Sequence, residues 1–150
     1  GSGNITYPNR VIYYDWGLNI IQVFPQTTLA TNIFRCCVEK DGYLYACNDS
    51  GVIVKYNIST NTIIAQKSTG ETTAFKNIFI VKDVIVVQQN LGVIRLFDLD
   101  LNFIKSWDYY NTSTQGGAFY VDKNNTIWSQ NRSTTNIIKK QIIDMTKDII

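Results

Sequence analysis

One pattern of residue types returns four times along this chain. Val11-Ile12-Tyr13-Tyr14-Asp15 is followed by a four-residue turn and Ile20-Ile21. Val52 to Asn57 is followed by Ile58 to Asn61 and then Thr62-Ile63-Ile64. Val93 to Asp98 leads through Leu99 to Asn102 into Phe103-Ile104, and Ile137 to Asp144 leads through Met145 to Asp148 into Ile149-Ile150. Asp15, Asn57, Asp98 and Asp144 hold one place in the pattern, at spacings of 42, 41 and 46 residues. A repeat of that length is one supersecondary unit that cannot bury its apolar faces alone, so successive units must stack.

A second element lies between these hairpins. Thr27-Thr28 precede Asn32-Ile33-Phe34, Thr72-Thr73 precede Asn77-Ile78-Phe79, and Thr112-Ser113 precede Gly117-Ala118-Phe119. The offset from the first polar residue to Phe is seven each time, which predicts that Phe34, Phe79 and Phe119 are equivalent. After each Phe come an apolar run, a polar turn and another run. The turns fall at Asp41-Gly42, Lys82-Asp83 and Lys123 to Asn125, and the second runs reach Asn48, Asn90 and Asn131, with Asn9 in the matching place of the first copy. The unit is thus four short strands, here named a, b, c and d. Composition agrees: 21 Ile, 11 Val and 15 Thr stand against 5 Ala, 7 Leu and 2 Glu. β-branched side chains suit pleated, half-buried surfaces, so the predicted class is all-β. The repeat segments span about 4–24, 31–67, 76–108 and 117–150, after a Gly1-Ser2-Gly3 start that reads as a cloning remnant.

Four short strands recurring every 40–45 residues make the pattern of a propeller blade. Gly51-Val-Ile-Val-Lys-Tyr-Asn and Gly92-Val-Ile-Arg-Leu-Phe-Asp, each followed by a turn and an apolar strand, resemble blade ends of the β-propeller superfamily, nearest to NHL-like and PQQ-like repeats. The Trp-Asp ending of WD40 blades occurs once, at Trp107-Asp108, and the chain has no histidine for their Gly-His start. Strand counting gives three and a half to four blades, where rings usually have 4–8. Three closures fit: a piece of a longer propeller, two copies closing one ring of about seven or eight blades, or a four-bladed monomer.

The resemblance implies that b–c and d–a loops share one face of the disc. Asn9, Asn48, Asn90 and Asn131 then meet Thr28, Thr73 and their neighbours there. Amides and hydroxyls supply the donors and acceptors that a peptide backbone or a sugar requires. The same residues also cap turns. Tyr109 and Tyr110, opening the longest d–a loop, are aromatic surface candidates. Trp128 aligns with Tyr45 in a b strand and is expected in the core. Trp16, in a c–d turn, is expected to anchor a partner or cover an edge.

Catalysis finds little support. The absence of histidine removes Ser-His-Asp and Cys-His chemistry and histidine metal sites. Asp15, Asp98 and Asp144 recur at turns, where carboxylates accept backbone N–H groups. No Gly-rich phosphate loop occurs, and a calcium loop at Asn48-Asp49-Ser50 is a weak signal. No cofactor is expected. A net charge of +2 without a basic run argues against nucleic acid, and no apolar stretch approaches the ~20 residues of a membrane span.

The Asp41-Gly42 hairpin places Cys36 opposite Cys47, a pair open to a strained disulfide. Three cysteines without a disulfide framework point to a reducing compartment such as the cytoplasm. Six Asn-X-Ser/Thr sequons, from Asn4 to Asn131, follow from turn composition. The expected function is a non-catalytic recognition or scaffolding module for a protein or glycan. Alternatives are a glycan-binding lectin, a structural part of a phage or surface assembly, and a propeller enzyme with its catalytic residues elsewhere.

Overall fold

The computed structural model describes residues 10–26, 33–70, 74–89, 93–108, 116–124, 126–131 and 137–141. They form thirteen strands in four antiparallel sheets. Blade one contributes β1 (Ile12–Tyr14) and β2 (Ile20–Val23). Blade two is the meander β3 (Phe34–Lys40), β4 (Tyr43–Asn48), β5 (Val52–Asn57) and β6 (Thr62–Ser68). Blade three repeats it with β7 (Phe75–Val81), β8 (Val84–Gln89), β9 (Val93–Asp98) and β10 (Phe103–Asp108). Blade four shows β11 (Gly116–Val121), β12 (Thr126–Asn131) and β13 (Ile137–Gln141). The a strands of successive blades touch, β3 on β7 and β7 on β11.

Local chemistry sets the hairpins. Asp41 and Gly42 both have positive φ, 52° and 80°, the two-residue turn whose twist matches its flanking strands. Blades one and three close their c–d hairpins identically. Asp15 Oδ1 accepts the Asn19 N–H (2.9 Å) and Asp98 Oδ1 accepts the Asn102 N–H (2.8 Å). Leu18 and Leu101 take positive φ at 61° and 66° in the same position.

Stacking makes the core. The middle strands β4, β5 and β8 are buried almost throughout, because neighbouring blades cover both of their faces. That is why they read as continuous apolar runs. One side of blade two sends Leu44, Ala46, Val54 and Tyr56 onto Phe24. Its other side sends Tyr45, Cys47 and Ile53 onto Phe75, Ile78 and Ile85. Blade three repeats the alternation, with Val84, Val86, Ile94 and Leu96 directed toward Val121 of blade four. Each fully buried side chain of this size contributes roughly 1.5–3 kcal/mol.

Three expectations change. Phe34 pairs with Asn48 and Phe75 pairs with Gln89, each beside a bulge, so Phe75 and not Phe79 is the counterpart of Phe34. The seven-residue offset is a coincidence between d–a loops of unequal length. The same register puts Gln89, and not Asn90, in the place of Asn48. Trp128 does align with Tyr45, but it is 36% exposed where Tyr45 is 1%. Its indole N–H donates to the Asp122 carboxylate at 2.9 Å.

Candidate functional site

The b–c and d–a loops of blade two do converge. The Asp49 N–H reaches the Ile33 carbonyl at 3.1 Å, and Thr69 Oγ1 donates to the Gly51 carbonyl at 3.1 Å. Arg35 grips Asp49 with two N–H groups, its Nη2 standing 2.8 Å from Oδ2. That bond and the adjacent charge hold the Arg35 guanidinium above its ordinary pKa. Asp49 drew notice in sequence only within a weak calcium-loop signal and Arg35 not at all, because the two lie fourteen positions apart and meet only through the bulged start of β3.

Asn48 stands within this convergence but faces inward. It is fully buried, and its Oδ1 accepts the N–H groups of Ser50 (3.0 Å) and Val52 (2.9 Å). This geometry is a turn cap. Asn131 ends β12 opposite Gly116, in the register place of Asn48 opposite Phe34. Gln89, in that place in blade three, accepts from Arg95 Nε at 2.5 Å. Asn9, Asn90, Thr28, Thr73, Tyr109 and Tyr110 lie outside the described residues.

Cys36 and Cys47 pair across the ladder as the turn dictates, yet the structure carries them as free thiols, without the disulfide. Directly opposed strand positions sit at the short end of disulfide spacing. In blade three, the equivalent positions carry Asn77 and Gln88, joined by a 2.7 Å hydrogen bond. Burial, and then the Cys36 neighbour, pushes the Cys47 thiol well up. Desolvation raises Cys37 likewise. Nucleophilic cysteines need the opposite shift. No group of three metal-ligating side chains occurs among the described residues.

Two cavities lie side by side between blades one and two. The larger, about 450 Å³, is lined by Val11, Phe24, Leu44, Ile58, Cys37 and Glu39 among others. The smaller, about 220 Å³, shares Val11, Ile12 and Cys37 and adds Arg10, Phe34 and Arg35. Together they form an apolar slot whose b–c/d–a end carries two guanidinium groups. The slot exists because the a strand of blade two has its Cys37 and Glu39 side exposed, whereas Ile78 at the position of Cys37 in blade three is buried.

No protein-family model matches the chain, and no curated protein matches it in sequence. Solved structures do match in shape. The computationally designed protein Ika4 is 14% identical with a TM-score of 0.64, over 83% of this chain and 73% of that one. The designed protein Ika8 gives 15% identity and 0.67, over 89% of this chain and 40% of that one. The WD40 β-propeller domain of Doa1 gives 14% and 0.71, over 93% of this chain and 45% of the other. The chain therefore spans less than half of the last two. At such identities the likeness is one of fold, and the four-stranded sheets match part of a β-propeller. This chain is built from successive propeller blades.

Proposed function

We infer that the chain is a non-catalytic recognition module that binds a protein partner through its b–c/d–a face. The slot between blades one and two carries this reading. Its apolar floor fits one or two aliphatic or aromatic side chains. Arg10 at its mouth, together with the N–H groups of Arg35 that Asp49 does not take, suits a carboxylate on the same segment, which a planar guanidinium meets with paired N–H groups. Largely apolar concavities with a few convergent polar groups are the usual form of a binding site. The raised thiols and the absence of histidine favour binding over catalysis.

A randomised peptide display library panned on the immobilised chain tests this. Enrichment of sequences pairing an acidic residue with an apolar one is expected. Arg35→Ala and Arg10→Ala should each weaken the selected peptides about tenfold, the worth of one charge-assisted hydrogen bond. No enrichment, or enrichment indifferent to both arginines, sinks the proposal. A glycan array run alongside decides between a peptide and a carbohydrate ligand.

A further inference from the structure

One rung of the a–b ladder brings two side chains together in both central blades. In blade three it sets Asn77 opposite Gln88, and Asn77 Nδ2 donates to Gln88 Oε1 at 2.7 Å. In blade two the same rung sets Cys36 opposite Cys47, and a hydrogen bond joins the two thiols. Cys47 is fully buried in the junction with blade three, and Cys36 packs half-buried on the same cluster. Cys37 is the neighbour in sequence, but it pairs with Ala46 one rung on. Strand alternation turns it to the opposite side of the sheet, where it is exposed.

Two properties of this rung suit a bond that forms and breaks. Access is one-sided: a reagent in solution reaches the half-buried Cys36 and not the buried Cys47. Spacing is tight: directly opposed strand positions lie at the short end of the disulfide range. A bond made there is strained, and strained disulfides yield to reducing thiols more readily than relaxed ones. The ladder is already interrupted by the bulge between Phe34 and Cys36. The bond would tie β3 to β4 one residue from Arg35 and two from Asp49, whose side chains form an ion pair.

We propose that Cys36 and Cys47 form a reversible redox site, which a low-molecular-weight disulfide oxidises and a low-molecular-weight thiol reduces. The free-thiol pair is its reduced form. The Cys36 thiolate attacks one sulfur of the reagent RS–SR, whose S–S bond breaks and releases a first thiolate. The Cys47 sulfur then attacks the Cys36 sulfur, the mixed bond breaks, and a second thiolate leaves. The two protons given up by the cysteines end on the two departing thiolates. One cross-strand bond and two RSH result, and two electrons pass from the cysteine pair to the reagent. Burial keeps Cys47 protonated, so it acts second, on a sulfur already in contact with it.

Thiol mapping of the folded 150-residue chain tests this. The chain is equilibrated with mixtures of reduced and oxidised glutathione, blocked with iodoacetamide and cut with trypsin. Cleavage after Arg35, Lys40 and Lys55 puts Cys36 on fragment 36–40 and Cys47 on fragment 41–55. The two fragments should appear joined as the oxidised share rises, and should separate again on adding dithiothreitol. Cys37→Ser should keep the joined fragments, and its free thiols should fall from two to none. Cys36→Ser should abolish them. Cys47→Ala, checked for retained strand content by circular dichroism, should stop at a mixed disulfide on Cys36. Three outcomes with the parent chain overturn the proposal: thiols that stay free throughout, a mixed disulfide on Cys36 without joined fragments, or joined fragments only in urea.

Discussion

Blades two and three solve one packing problem with different chemistry. Toward its successor, blade three is apolar, with Val86, Ile94 and Leu96 fully buried. Blade two puts Lys55 where blade three has Leu96. The Lys55 ammonium donates to the Leu99 carbonyl at 2.8 Å and to Asp100 at 3.1 Å, and lies 4.7 Å above the Tyr43 ring. Tyr45 donates its hydroxyl to the same Leu99 carbonyl at 3.2 Å. Burial pulls the Lys55 pKa down, but the Asp100 hydrogen bond and Tyr45 more than offset it, so the amine is held above its usual value. The lesson is positional. A cation sits inside this junction because a turn carbonyl from the next blade points at it. A buried polar group with a defined partner fixes alignment more than it adds stability.

The largest effect should come from the apolar junction. Leu96→Ala should cost about 2–5 kcal/mol, the range for truncating a buried aliphatic side chain. Urea denaturation measures it, and a loss below about 1 kcal/mol would mean the junction collapses around the gap. Lys55→Ala should cost less, about 1–3 kcal/mol for a hydrogen bond from a charged group, because Asp100 is left exposed to water and the Leu99 carbonyl keeps the Tyr45 hydroxyl. Lys55→Leu sharpens the contrast by copying blade three into blade two. Exchange of a buried charge for a packed apolar group is often neutral or stabilising, so Lys55→Leu should be at least as stable as the parent. A loss as large as that of Lys55→Ala would show the latch to be a net stabiliser.

The cross-strand pairs invite a similar test. Asn77→Ala removes the donor to the Gln88 side-chain oxygen, in a residue 1% exposed, and should cost about 1–3 kcal/mol. Cys36→Ala, at the same place in blade two, should cost about 1 kcal/mol or less, since the thiol is a weak hydrogen-bonding group. Equal losses in thermal or urea unfolding would erase the distinction.

Acid response should separate the two c–d turns by the smallest margin. Burial raises the Asp98 pKa, but hydrogen bonds from the Asn102 side chain and backbone and from the Asp100 N–H outweigh it, and the net shift is downward from 3.8. Because the folded value lies below the unfolded one, the stabilisation is present above 3.8 and is lost as pH falls through the lower folded value. Asn57 fills that place in blade two and does not titrate there. Asp98→Asn should therefore flatten the fall in stability below about pH 4, measured by urea unfolding at several acid pH values. An unchanged acid limb would assign the sensitivity to Asp15 and Asp122, whose carboxylates are also held low by hydrogen bonds, chiefly from Asn19 and Trp128.

Much of the architecture was legible because hairpins are local. Asp41-Gly42 fixes the register of β3 on β4, and that register puts Cys36 opposite Cys47 without any knowledge of the rest. Asp15 and Asp98 mark c–d turns because a carboxylate at that spot caps the hairpin within four residues. The d–a connections were not legible. They join different blades and their lengths vary, so the Phe79 alignment slipped. The slot with Arg10 and Arg35 was missed for a related reason, since its two sides come from different blades.

The sequence by itself determined the strands, their turns, their antiparallel pairing and the propeller class, all consequences of β-branched alternation and of turn chemistry acting over a dozen residues. Burial was decided only by the tertiary structure. Leu18 and Leu101 have the same turn and the same backbone angle, as Tyr45 and Trp128 have the same register place. Yet one of each pair is buried and the other is exposed. Exposure depends on whether another blade stacks against that side, and stacking is a long-range relation that no residue encodes alone.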